Sequence, residues 1–97
     1  MDEHKILEQL EEVARGLGME IRYETLKGES SFSPGGLCRL QGNYLLIINS
    51  RASTGEKIRA MAQAVNRFDL SRVYLLPGLR ELLDRLREAG EPVSEEK

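Results

Sequence analysis

The sequence predicts a single small α+β domain, with an antiparallel or mixed sheet and helices packed on it. Three features carry that reading. Apolar residues recur at three- and four-residue spacing in three separate stretches, as on amphipathic helices. Between them lie short runs that alternate or are wholly apolar, as in strands. The two kinds of segment follow one another as α-β-β-β-α-β-α within 97 residues, a length that suits one core.

The first helix is expected over about Asp2–Leu17, where Ile6, Leu7, Leu10, Val13, Ala14 and Leu17 make one stripe. Asp2 suits the cap, acids crowd the first turns, and Gly18 suits a left-handed stop. "MEIRYETL" then alternates, with Met19, Ile21 and Tyr23 on one side and Glu20, Arg22 and Glu24 on the other. "KGESSFSPGG" breaks every period and reads as a loop. "LCRLQGNYLLIIN" reads as a hairpin, with Gln41-Gly42-Asn43 between two apolar runs and Gly-Asn suited to a tight turn that needs positive φ. A loop and a tight turn join the first three strands, so antiparallel pairing of neighbours is expected. Tyr44–Ile48 is apolar on both faces, which predicts the central and most buried strand.

Ser53 and Glu56 have the spacing of a capping box and open a second helix. Its buried stripe is Ile58, Met61, Ala62 and Val65, with Arg59, Gln63, Asn66 and Arg67 mainly on the open side. "VYLL", residues 73–76, leans towards a fourth strand, with a helical turn as the competitor. Pro77 then starts a third helix on Leu79, Leu82, Leu83 and Leu86, and Gly90 suits its stop. One domain over residues 1–90 with a polar tail at 91–97 is the expected organisation.

Charge is unevenly spread. Residues 1–38 hold four Lys/Arg and eight Asp/Glu, residues 39–87 hold nine and four, and residues 88–97 hold one and four. The basic middle raises polyanion binding as a function class, yet no Lys/Arg cluster is dense enough for a nucleic-acid patch. The acidic flanks screen it within the same chain. One cysteine, Cys38, excludes an internal disulfide and favours a reducing compartment. No apolar run is long enough to span a bilayer, and the N-terminal stretch lacks a signal-peptide core. A cytoplasmic location is the expectation.

No catalytic, metal or cofactor constellation emerges. His4 is the only histidine, on a solvated helix face, where imidazole metal chemistry needs two or three. Cys38 beside Arg39 has a cation to lower its thiol pKa but no histidine base nearby in sequence, and a strand cysteine reads first as core. "GESSFSPGG" lacks the Lys-Ser/Thr ending that opens a helix in phosphate-binding loops. Phe32, an aromatic among serines, is a candidate contact residue.

The stretch "GGLCRLQGNYLLIINSRASTGEKIRAMAQAVNRF", followed by "YLLPGLRELL", resembles a family of small uncharacterised bacterial proteins, which brings no function with it. The order strand, hairpin, strand, loop, helix is similar to the N-terminal half of the zinc peptidases found beside phage repressors. That resemblance places Gln63 at the first zinc-binding histidine, Ala64 at the general-base glutamate and Arg67 at the second histidine. Glutamine is a poor zinc ligand, alanine accepts no proton and arginine stays charged, so the peptidase chemistry is not expected.

The expectation is therefore a non-enzymatic domain without cofactor or metal, acting through a protein partner or self-association as a homodimer. The alternative is a nucleic-acid or phosphate-ligand binder. The candidate binding residues are Arg39, Arg51, Lys57, Arg59, Arg67 and Phe32.

Overall fold

The computed structural model describes residues 2–28 and 33–88. Phe32, the expected stop at Gly90 and the expected tail at 91–97 lie outside the described residues. The chain forms α1 (Glu3–Gly16), β1 (Met19–Glu24), β2 (Gly35–Leu40), β3 (Asn43–Asn49), α2 (Thr54–Val65) and α3 (Pro77–Glu88), an α+β domain with a mixed sheet.

Local chemistry fixes the helix ends. The Lys5 N–H donates to Asp2 Oδ1 at 3.0 Å, and that bond holds the Asp2 carboxyl below its usual range. Gly18 turns the chain out of α1 at φ 95. Ser53 and Glu56 form the reciprocal capping box of α2. Pro77 is the first residue of α3, and the carbonyl of Leu76 accepts the N–H of Arg80 at 2.9 Å to begin it.

The strand order is β1-β3-β2, with β2 antiparallel and β1 parallel to β3. This corrects the expected antiparallel start: β1 skips its sequence neighbour and pairs with β3. Where the chain leaves β1 it meets the C-terminal end of β3: Thr25 and Ser50 share a hydroxyl hydrogen bond of 3.0 Å and Ser50 N–H donates to Glu24 O. The two-residue turn between β2 and β3 is Gln41-Gly42, at φ 55 and 85, within the expected Gln41-Gly42-Asn43, with Gln41 rather than Asn43 taking the second positive φ. Asn43 is the first residue of β3. Two consecutive positive φ values match the twist of a tight hairpin.

Residues 73–76 are not a fourth strand. Leu75 enters the core, the Val73 carbonyl accepts from Arg80 Nη2 at 3.0 Å, and Leu76 is spent on starting α3. The N–H of Val73 donates to Leu70 O at 3.1 Å, so both main-chain groups of Val73 and the carbonyl of Leu76 are used in local contacts. A helical turn, the competing expectation, is absent there too.

All three helices lie on one face of the sheet. Leu46 and Ile48 of β3 are fully buried in a core with Leu10, Met19, Met61, Val65 and Leu83, and Ile21, Leu37 and Tyr44 border that core. Each of these strand residues belongs to the same side of the pleat. Asn49, 2% exposed, closes the top of β3: its Nδ2 donates to Ser33 O at 2.9 Å, and its Oδ1 accepts from Arg51 N–H at 3.0 Å.

Candidate functional site

The other side of the pleat carries Leu45 and Ile47 on β3, Gly36, Cys38 and Leu40 on β2, and Glu20, Arg22 and Glu24 on β1. No helix among the described residues packs there. Leu45 and Ile47 stand outside the core cluster, Cys38 is exposed, and Leu40 is 58% exposed. The result is an aliphatic strip beside a charged border. In that border Arg22 Nε lies 3.0 Å from Glu20 Oε2, an exposed pair of little worth to the monomer. Cys38 is thus no core residue, as its strand position had suggested. Alternation along an edge strand places it on the uncovered side.

A second surface opens at the edge of the sheet. Arg39 lies directly across from Tyr44, its Cζ 5.3 Å from the ring centroid, within the range of a cation–π contact. Tyr44 in turn meets Phe68 edge-on, with centroids 5.0 Å apart and an interplanar angle of 76°. Arg67 completes a cleft of about 390 Å³ with these residues, Leu37 and Cys38. No acidic residue lines the cleft, and neither arginine enters an ion pair among the described residues.

The other basic candidates do not join this pair. Lys57 lies over the Tyr23 ring at 5.7 Å, on β1. From the strand register, that corner is roughly 13 Å along and 10 Å across the sheet from Arg39. Arg59 is exposed on α2, and Arg51 is exposed in the turn after β3. Tyr23 has its own role: its hydroxyl donates to the Glu11 carboxylate of α1 in a short bond. Partial burial first, and that hydrogen bond second, hold the phenol above its ordinary range.

The positions that the zinc peptidases would fill do not converge on a site. Gln63 is exposed, Ala64 is 3% exposed within the core, and Arg67 lies beyond the end of α2. Among the described residues no three His, Cys, Asp or Glu side chains gather as a metal would require. His4 is exposed, and no described helix is long and apolar enough to cross a membrane. No family model, no curated protein and no solved structure matches this chain.

A third surface is an open groove of about 470 Å³ between α1 and residues 73–76, where Tyr74 is 82% and Leu76 39% exposed. Sequence reasoning missed it, because the expected strand at 73–76 puts Tyr74 and Leu76 on one face of a sheet rather than at the wall of a groove. It also missed Asn66, which is no open-side residue. Its Nδ2 donates to Leu83 O and its Oδ1 accepts from Arg87, each at 3.0 Å, so it joins α2 to α3.

Proposed function

We propose that this chain is a non-enzymatic interaction domain that pairs with a second copy through the open face of its sheet. The observation behind the reading is the two-sided apolarity of β3. On one side Leu46 and Ile48 are fully buried under the helices, whereas Leu45 and Ile47 on the other are half-buried with no covering element among the described residues. Water is a poor neighbour for such a strip beside Cys38 and Leu40. A second copy suits it by charge. A two-fold axis that crosses the strands at the level of Ile21 and Leu46 sets β1 against β1 and brings Arg22 of each border opposite Glu20 of the other.

Size sets the strength. Three strands of six or seven residues present a face of roughly 15 by 20 Å, well below the ~800 Å² per partner of a standard interface. The dimer is accordingly weak and concentration-dependent. The exposed, unpaired Cys38 on this face suits a reducing, cytoplasmic setting. Sedimentation equilibrium of the parent and of Ile47→Lys tests the reading. The parent should shift from monomer to dimer as concentration rises, and the variant should keep its fold by circular dichroism yet stay monomeric. A parent that is monomeric at millimolar concentration would refute it.

A further inference from the structure

We infer that the free edge of β2 takes an extended peptide whose acidic side chain is held between Arg39 and Arg67. The hairpin fixes which backbone groups are available. In a two-residue turn, the flanking pair Leu40 and Asn43 exchange hydrogen bonds. The Asn49 N–H donates to Pro34 O at 3.0 Å, the same phase at the far end of the ladder. Even-numbered residues of β2 therefore bond to β3, and the N–H and C=O of Leu37 and Arg39 point the opposite way. No strand among the described residues pairs with them there.

The side chains of Leu37 and Arg39 lie on the helix side of the pleat, opposite Leu46 and Tyr44. A strand added at this edge would place alternate side chains beside them. The residue across from Leu37 meets an apolar, half-buried neighbour. The residue two positions along, across from Arg39, enters the cleft that Arg67 also lines. Two guanidinium groups without an acidic neighbour favour a carboxylate there, and their planar forks suit its two oxygens. Tyr44 and Phe68 hold the floor of the cleft, and the Tyr44 ring keeps Arg39 in place. Backbone pairing supplies affinity and the alternating side chains supply choice, as in other strand-addition complexes. The recognised pattern is an acidic residue two positions from an apolar one. Face-to-face pairing of the sheets leaves the backbone of this edge uncovered, and the two surfaces share Cys38 alone.

Selection of a displayed random-peptide library on the purified protein tests the assignment. The selection is run on the parent and on Ile47→Lys, so that loss of self-association and loss of peptide binding are read separately. Both should enrich peptides with Asp or Glu two positions from an apolar residue. An enriched peptide, made synthetically, should shift the amide resonances of Leu37 and Arg39. Arg39→Gln and Arg67→Gln should each weaken it about tenfold, the scale of one charge-assisted hydrogen bond, while melting like the parent. Replacing the acid of the peptide by its amide should cost a similar factor. No enrichment, enrichment without acids, or an unchanged affinity in the two arginine variants would overturn it. So would binding of inorganic phosphate or a single-stranded oligonucleotide at these arginines with no peptide selected.

Discussion

At Gly35 the backbone adopts φ 144, and a Cβ there would stand 2.3 Å from the carbonyl oxygen of Ile47. The obstacle is main chain of the central strand, so it cannot swing aside as a side chain could. Gly35→Ala is expected to lose at least about 2 kcal/mol in chemical denaturation, through strain and a displaced strand. A loss below half of that would show that β2 enters the sheet differently. Tyr23 supplies a pH signature. Its phenol is held above the ordinary range, first by partial burial and then by Glu11. In the unfolded chain it ionises near pH ~10, so its contribution is complete below that pH and is lost as pH rises beyond it. Thermal melts between about pH 9 and pH 11 should fall less steeply for Tyr23→Phe than for the parent. Parallel slopes would remove Tyr23 as the source.

Among the elements, β3 decides the most. Leu46 and Ile48 are wholly buried, so Leu46→Ala and Ile48→Ala should each cost about 2–5 kcal/mol. Ile47→Ala, on the uncovered side, should cost clearly less, and urea midpoints compare them directly. Equal losses at Ile47 and Ile48 would mean that both sides of β3 carry core. The helix ends were legible in the sequence because caps are local: Asp2, Gly18, Ser53 with Glu56, and Pro77 each act within a turn of themselves. Strand order was not, since the parallel pairing of β1 with β3 depends on a connection that carries no periodicity. Residues 73–76 misled for a related reason. Their β-leaning composition is real, but no described strand pairs with them: Leu70 and Arg80 take the N–H and C=O of Val73, and α3 takes the C=O of Leu76.

At the scale of the whole molecule, the helices cover one side of the sheet, and no element among the described residues covers the other. The apolar run Tyr44–Ile48 was readable as central, but its two-sided character was read as burial on both sides. The sequence holds no mark that its described helices form a single layer. The basic candidates were readable as a set, whereas their division was not. Arg39 and Arg67 lie 28 positions apart and meet only because β2 flanks the end of α2. Lys57 is drawn to the opposite corner by Tyr23. The face, rather than the charge, is thus the feature on which the proposed function rests. Its most direct test is an isotope-filtered NOE experiment on a mixture of labelled and unlabelled protein at high concentration. Contacts between molecules should arise from the methyl groups of Leu45, Ile47 and Leu40, with none from Leu46 or Ile48. Intermolecular contacts confined to Tyr74 and Leu76, or none at all, would contradict the pairing of two sheets.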